Sequence, residues 1–208
     1  MNYRAWMQLL LWLPGWAAAS QCSLLIVGDS LSSGYGLAAG SSWVDRLDTR
    51  LKQRAPGWRV VNASVSGDTT QNGLQRLGPA LKRQRAHGVL IELGGNDALR
   101  GTPPNVIRQN LVTMIRQAKA SGAWVALLEA PVLPNYGKPY AEAVAGVFAD
   151  VARAERIVRV PCFVCAVGVK PSLMQADGIH PNEQAQAQVL DAVWPYIQPK
   201  LKCPGAKP

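Results

Sequence analysis

The sequence predicts a single α/β domain with three layers, in which helices cover both faces of a mostly parallel five-stranded sheet. Five short apolar runs are continuous rather than alternating, which is typical of parallel strands buried on both faces. Their spacing matches the length of a βαβ unit. The segments between them carry apolar residues at helical spacing, and the regular alternation of the two patterns favours the α/β class.

The predicted strands and helices alternate along the chain. Strands are predicted at residues 23–27, 59–62, 89–93, 124–128 and 157–160. The apolar stripes of two intervening helices consist of Trp43, Leu47 and Leu51, and of Val106, Leu111, Met114, Ile115 and Ala118. A closing helix is predicted over residues 183–201.

The composition excludes several classes of protein. With 208 residues, of which 48% are hydrophobic, the chain has enough apolar material for one folded domain, so wholesale disorder is excluded. Only the first 19 residues hold a notable apolar run, which excludes a membrane protein with several spans. The formal net charge of +9 favours anionic partners. No basic stripe interleaved with aromatic residues supports nucleic-acid binding.

Residues 1–19 have the pattern of an export signal. Arg4 supplies a positive charge, residues 9–13 are strongly apolar, and residues 17–19 are three alanines that suit a signal peptidase. We therefore expect a signal peptide at residues 1–19, a mature domain at residues 20–208, and a periplasmic or secreted protein.

The N-terminal segment has two alternative interpretations. One is an uncleaved membrane anchor, but the apolar run is shorter than the ~20 residues that a spanning helix needs. The other is lipidation at Cys22, but Gln21 stands where a small residue is expected. We therefore expect no stable membrane anchor.

The four cysteines are candidates for disulfides if the chain is exported to an oxidising compartment. Three connectivities are possible. Cys162 and Cys165 are close enough in sequence to pair locally, and Cys22 and Cys203 flank the mature domain. A redox or metal-binding CxxC motif is the alternative for the first pair, although the second CxxC of a zinc ribbon is missing.

Chemically useful side chains follow four of the predicted elements at one edge of the sheet. In open parallel sheets, ligands bind outside the carboxyl ends of the strands. The segments at these ends are residues 28–31, 62–68, 94–97 and, in a longer loop, 177–181. They bring a serine, a glycine, an asparagine and an acid–histidine pair to the same edge.

Asp177 and His180 have the spacing of a carboxylate that orients an imidazole. The carboxylate would accept a hydrogen bond from one ring nitrogen and leave the other nitrogen free to take a proton from a hydroxyl group. Pro181 keeps His180 out of helical dihedral angles. The alternative is that His180 only caps the closing helix. The other histidine, His87, follows a helix and is interpreted as structural.

Ser30, Gly67 and Asn96 are the remaining candidates for the site. Ser30 stands where a strand turns into a helix, so its backbone N–H is a free donor for an oxyanion. Gly67 lacks a side chain and allows close approach to its N–H. The Asn96 amide can donate a hydrogen bond. Each alone is also typical of a turn, and Ser32 and Ser33 remain alternative nucleophiles.

Four segments resemble the motif blocks of the SGNH, or GDSL-type, hydrolases, in the same order. They are GDSLSSGYGL at residues 28–37, NASVSGDTT at 62–70, ELGGND at 92–97 and DGIHPN at 177–182. The chain is most similar to the exported bacterial subgroup of multifunctional thioesterases, lysophospholipases and arylesterases. The cysteines at 162, 165 and 203 are not part of the family's pattern.

The resemblance implies a flavodoxin-like α/β/α fold and a set of roles. Ser30 would be the nucleophile, His180 its base and Asp177 the acid that orients the base. The N–H groups of Ser30 and Gly67 and the side chain of Asn96 would form the oxyanion hole. The family uses neither a metal nor an organic cofactor.

The expected activity is hydrolysis of carboxylic esters and thioesters through an acyl-enzyme by a monomer, with small acyl substrates that include lysophospholipids. Loop residues at the site are either the lining of an acyl groove or ordinary loop and core residues. These residues are Leu99, Pro103, Pro104, Val132, Leu133 and Tyr136.

Two other functions stay open at this point. A carbohydrate O-acetylesterase would carry the same motif blocks, but its groove would be polar and lined by aromatic residues, and only 7% of this chain is aromatic. A non-catalytic binding module on the same fold is the second alternative, and the presence of all five site residues counts against it. A flavin-binding role is disfavoured because no phosphate-cradling loop follows the first strand.

Overall fold

The computed structural model describes residues 21–133 and 136–203 of the chain. The predicted export signal at residues 1–19 lies outside the described residues. All structural statements below refer to the described part of the chain.

The sheet has five strands, all parallel, in the order β2-β1-β3-β4-β5. The strands are β1 Cys22–Gly28, β2 Trp58–Asn62, β3 Gly88–Glu92, β4 Trp124–Leu128 and β5 Val158–Val160. The predicted α/β class and all five strands are therefore confirmed, with boundaries within one residue of those predicted.

Eight helices connect and cover these strands in the described residues. They are α1 Ser30–Ser33, α2 Trp43–Arg54, α3 Thr70–Gln84, α4 Gly95–Leu99, α5 Pro104–Ala120, α6 Lys138–Ala154, α7 Cys165–Gly168 and α8 Gln186–Ile197. The predicted closing helix is divided, because 3₁₀ turns at Glu183–Ala185 and Gln198–Lys200 flank α8. None of the helices is long and apolar enough to cross a membrane.

Two hydrophobic layers sandwich the sheet. One face packs against α3, α5 and α6, and the other packs against α2 and α8. Strands β1 and β3 are buried along their whole length, as expected for strands covered on both faces. This burial explains why both read as continuous apolar runs in the sequence.

The predicted helical stripes are buried with one exception. Val106 is 36% exposed, and Ile107 takes the buried position at the start of α5 instead. From Ile107, the buried face continues to Leu111, Met114 and Ala118. The prediction for Val106 is wrong because that residue lies one position away from this face.

The structure contains two disulfides, and each joins two cysteines that the sequence made candidates for pairing. Cys22, at the start of β1, pairs with Cys203 near the end of the chain. Cys162 pairs with Cys165 across the beginning of α7. The first disulfide closes almost the whole domain, with a sequence separation of 181, whereas the second has a separation of 3.

The two disulfides should contribute unequally to stability. In the chain-entropy model, the long loop predicts that Cys22→Ala/Cys203→Ala lowers the free energy of unfolding by roughly 5 kcal/mol, against roughly 2 kcal/mol for Cys162→Ala/Cys165→Ala. Denaturant unfolding of both double variants measures the difference. Equal losses, or a larger loss for the short loop, would contradict this account.

Candidate active site

The carboxyl ends of β1 and β3 and the loop before α8 meet around a cavity of about 350 Å³. Ser30 is the first residue of α1, which follows β1 after a single residue. Asn96 lies in α4, which follows β3. His180 comes from the loop between α7 and α8. All three side chains line the same cavity.

Ser30, His180 and Asp177 form a continuous chain of hydrogen bonds. The Nε2 atom of His180 lies 2.8 Å from Oγ of Ser30, and its Nδ1 atom lies 2.7 Å from Oδ2 of Asp177. With a proton on Nδ1, the ring donates to the carboxylate and Nε2 can accept the serine proton. This is the arrangement that converts a serine hydroxyl into a nucleophile.

Asp177 is held in place by the backbone of its own turn. Its Oδ1 atom accepts from the N–H groups of Ile179 at 2.9 Å and of His180 at 3.0 Å. The bond from the backbone of His180 is the main cause that lowers the pKa of Asp177 to about 2. The carboxylate is therefore ionised throughout the neutral range.

The loop that carries His180 is braced by Gln175, which the sequence analysis did not single out. The backbone N–H of Gln175 donates to the carbonyl of His180 at 2.8 Å. Its side-chain amide donates to the carbonyls of Tyr35 at 2.9 Å and of Pro181 at 3.3 Å. The ring of Tyr35 lies 4.8 Å from the imidazole of His180, between ring centroids. A glutamine outside the motif gives no sequence signal for this role.

Ser30 is fixed by a cap and by a buried carboxyl group. Asp29 caps α1, since its Oδ1 atom accepts from the N–H of Leu31 at 3.0 Å. The N–H of Asp29 donates to Oε2 of Glu92 at 3.2 Å, and the hydroxyl of Ser32 donates to the same oxygen at 2.8 Å. Burial raises the pKa of Asp29 to about 6. Burial and the charge of Asp29 raise the pKa of Glu92 well above its ordinary value.

The two other serines of α1 have different partners. Ser32 is fully buried, and its hydroxyl donates to Glu92. Ser33 shares a hydrogen bond of 2.8 Å with the hydroxyl of Ser66 in the loop after β2. Among these serines, only Ser30 lies within hydrogen-bond distance of His180.

Asn96 lies beside Ser30, and its amide group already has two acceptors. The Nδ2 atom donates to Oδ2 of Asp29 and to the carbonyl of Asp68, both at 3.0 Å. An oxyanion would therefore share or replace one of these two hydrogen bonds. By accepting one of these hydrogen bonds, the Asp29 carboxylate fixes the orientation of the Asn96 amide group.

Gly67 belongs to the loop that packs against both α1 and α4. It does not line the cavity, but its neighbours do contact the site: Ser66 bonds to Ser33, and the carbonyl of Asp68 accepts from Asn96. Its φ of +81° requires glycine, whereas a Cβ atom at this position would meet nothing within 4 Å. Conformation, not lack of space, explains the glycine.

The predicted groove residues divide into two groups. Leu99, Val132 and Leu133 line the cavity. Pro103 and Pro104 lie at the start of α5, and Tyr136 packs edge-on against Tyr140 with 5.5 Å between ring centroids; none of the three lines the cavity.

A second wall of the cavity comes from a segment that the sequence analysis did not assign to substrate. This segment is α7 with its flanking residues, and the residues that line the cavity from there and from the following loop are Val164, Cys165, Gly168, Val169, Met174 and Ile179. The cavity is therefore mainly aliphatic apart from the site residues on its floor.

His87 lies at the opposite edge of the sheet. Its Nδ1 atom accepts from the N–H of Ser23 at 3.3 Å, and its carbonyl accepts from the N–H of Trp124 at 3.1 Å. Both contacts are at the amino ends of strands, which agrees with the structural interpretation. In the described part of the chain, no group of three or more histidine, cysteine or acidic side chains is arranged to hold a metal ion.

Comparison with known proteins identifies the family. The chain matches the GDSL-like lipase/acylhydrolase family over residues 26–188. It is 47% identical to Esterase TesA of Pseudomonas aeruginosa over 184 residues, which are 88% of this chain and 91% of that protein. It is 40% identical to the Thioesterase 1/protease 1/lysophospholipase L1 of Escherichia coli K12 over 191 residues, 92% of this chain and 90% of that protein.

The fold agrees with this result. A crystal structure of TesA superimposes with a TM-score of 0.83 and 47% identity, and the match covers 86% of this chain and 99% of that one. The family resemblance of the four motif segments is thereby confirmed. The chain belongs to the GDSL-like lipase/acylhydrolase family, the SGNH hydrolases.

Proposed function

We propose that this protein hydrolyses carboxylic esters and thioesters through an acyl-enzyme formed on Ser30. The expected class of activity, that of an esterase or thioesterase, is confirmed by the family and by relatives at 40–47% identity. The observation that carries the assignment of residues is the chain of hydrogen bonds from Ser30 through His180 to Asp177, at 2.8 Å and 2.7 Å.

In the first step, Oγ of Ser30 attacks the carbonyl carbon of the substrate while Nε2 of His180 takes the hydroxyl proton. The resulting imidazolium is stabilised by the carboxylate of Asp177, which accepts from Nδ1. Because Asp177 has a pKa of about 2, it does not itself take up the proton.

The negative charge that develops on the substrate oxygen needs donors that are already in place. The N–H of Ser30 has no acceptor within its own helix, because it is the first residue of α1. The amide of Asn96 is the second donor, and it releases or shares the hydrogen bond to the carbonyl of Asp68. The motif assigns the third donor to the N–H of Gly67, whose neighbours Ser66 and Asp68 join its loop to α1 and to Asn96.

The tetrahedral intermediate then collapses to the acyl-enzyme. The bond between the acyl carbon and the leaving oxygen or sulfur breaks, and His180 gives its proton to the leaving alcohol or thiol. A water molecule attacks the acyl carbon, loses a proton to His180, and displaces Oγ of Ser30, which recovers the proton. The products are a carboxylic acid and the free enzyme.

The aliphatic lining favours acyl chains over sugars as the group that fills the cavity. Leu99, Val132 and Leu133 form one wall, and Val164 and Val169 belong to the other. Among the described residues, no phenylalanine, tyrosine or tryptophan lines the cavity, whereas a carbohydrate O-acetylesterase is expected to offer a polar, aromatic groove. Lysophospholipids and medium- or long-chain esters and thioesters fit this lining.

Export to the periplasm or to the medium is part of the proposal. Two disulfides and no free cysteine in the described residues suit an oxidising compartment. The intracellular acyl-coenzyme pool would then not be the physiological substrate.

The nucleophile is tested with Ser30→Ala on a series of p-nitrophenyl esters from acetyl to palmitoyl. Loss of the hydroxyl should lower kcat by roughly 10⁴–10⁶ for every ester, as loss of a catalytic serine does elsewhere. Ser121→Ala is the control, since it removes a hydroxyl at the end of α5 that donates to the carbonyl of Ala118, at the opposite edge of the sheet from the cavity, and it should stay close to the wild-type rate. Wild-type rates in Ser30→Ala would refute the mechanism, whereas no hydrolysis of any ester by the unaltered protein would favour a binding module.

Asp177→Asn tests the orienting carboxylate. The amide nitrogen of asparagine cannot accept from Nδ1 of His180, so the imidazole is held in the wrong tautomer, and kcat should fall by about 10⁴. Asp191→Asn, which breaks an exposed ion pair between α8 and Arg50, is the control and should keep its activity. An Asp177→Asn enzyme with a nearly normal kcat would show that the carboxylate has no orienting role.

Gly168→Phe tests whether the cavity holds the acyl chain. Gly168 is an exposed residue that lines the cavity, and a Cβ atom there would meet nothing within 4 Å, so a large side chain can be added at this wall without a clash at its Cβ atom. If the new side chain excludes two methylene groups of the palmitoyl chain, at about 0.8 kcal/mol each, the palmitoyl-to-acetyl ratio of kcat/KM should fall about fifteenfold. Gly146→Phe, on the exposed side of α6, is the control. An unchanged palmitoyl-to-acetyl ratio in Gly168→Phe would show that the acyl chain of the substrate binds elsewhere.

A further inference from the structure

We propose that the mouth of the cavity docks on the surface of an anionic phospholipid bilayer. The proposal rests on the proposed function, because the docked surface would deliver an acyl chain to Ser30. The surface in question is the mouth collar, defined as the four exposed aliphatic residues that line the cavity: Leu99, Leu133, Val169 and Ile179.

The mouth collar is exposed although each of its members is strongly apolar. The exposed fractions are 37% for Leu99, 40% for Leu133 and Ile179, and 79% for Val169. They come from four separate segments that meet around one opening. Scattered exposed aliphatic residues need no explanation, but a ring of them around a cavity marks an interaction surface.

Val169 is the most exposed residue of the mouth collar. It follows α7, whose residue Val167 is buried in the core together with Val164 just before the helix. The chain therefore turns from the core to the surface within two residues, from Val167 at 1% exposed to Val169 at 79% exposed. The described part of the fold offers nothing to cover it.

Positive charge accompanies the collar. Arg100 follows Leu99 and Lys170 follows Val169, and both side chains are exposed. Neither forms an ion pair with any residue in the described ranges; Arg100 donates only to the carbonyl of Gly67, at 3.0 Å. Asp29, whose carboxylate lines the cavity, is buried, and the carboxylate of Asp177, two positions before Ile179, is engaged by His180 and by two backbone N–H groups.

This combination fits one kind of partner. Aliphatic side chains can enter the boundary between headgroups and acyl chains, while the adjacent cations contact lipid phosphates. A second copy of the same face would bring like charges together, and the whole chain carries a net charge of +9. Anionic lipid satisfies both the apolar and the charged parts of the surface.

Docking in this orientation has a consequence for the reaction. The open end of the cavity would face the lipid, with Ser30 and His180 on its floor. A lysophospholipid or a similar single-chain ester could then move its acyl chain from the layer into the cavity without exposing the chain to water.

The test uses Ser30→Ala protein, which cannot hydrolyse the lipid, in a vesicle co-sedimentation assay. Vesicles of equal parts phosphatidylglycerol and phosphatidylcholine are compared with vesicles of phosphatidylcholine alone. We expect clear binding to the anionic vesicles and weak binding to the zwitterionic ones. Lys170→Gln should lower the partition coefficient about fivefold, and Val169→Ser should lower it about tenfold.

Lys82→Gln is the matched control for charge. Lys82 is exposed in the last turn of α3, which ends near the amino ends of the strands and thus at the opposite edge from the cavity. It should bind like the parent protein. Equal binding to both kinds of vesicle, or an equal loss in Lys82→Gln and Lys170→Gln, would overturn the docking orientation.

A soluble ester separates this proposal from the proposed function. In the chain with Ser30 intact, Lys170→Gln should hydrolyse p-nitrophenyl acetate at the wild-type rate. If the protein does not bind vesicles but hydrolyses this ester normally, only the docking proposal is refuted. Absence of Ser30-dependent hydrolysis would refute the proposed function itself.

Discussion

The geometry of the site depends on one buried carboxyl group, that of Glu92 at the end of β3. Its Oε2 atom accepts from the backbone of Asp29 and from the hydroxyl of Ser32, so it joins the end of β1 and the first helix to the neighbouring strand. Asp29 in turn accepts from Leu31 and from the amide of Asn96. Two carboxyl groups therefore set the relative positions of the proposed nucleophile and one proposed oxyanion donor.

This arrangement has an electrostatic cost. Burial raises the pKa of Asp29 to about 6 and that of Glu92 well above its ordinary value. A raised pKa means that the folded state binds protons more tightly than the unfolded chain, so this contribution to stability is present at low pH and is lost as pH rises through the folded pKa. For Asp29 the loss falls between its ordinary value of 3.8 and about 6. At neutral pH the fold keeps an ionised Asp29 that disfavours folding, and this carboxylate is the one that directs Asn96.

The sequence was sufficient to predict the strands and to bring Ser30, Asn96, Asp177 and His180 to one edge, because parallel strands end together. It was not sufficient for Glu92. That residue lies inside the predicted strand at residues 89–93, and its partners depend on the pairing of β3 with β1. The wall formed by α7 was missed for a related reason: its lining residues face the cavity only once distant segments have packed.

The same wall links the disulfides to the cavity. A four-residue helix such as α7 cannot be stable by itself. Buried Phe163 and Val167 anchor it in the core, and the Cys162–Cys165 disulfide closes the turn from which it starts. Because α7 is anchored in this way, Val169 stays at the mouth of the cavity although its own side chain is exposed. In a reducing compartment the disulfide would be lost, so the closure of the turn that starts this wall depends on the proposed export of the chain.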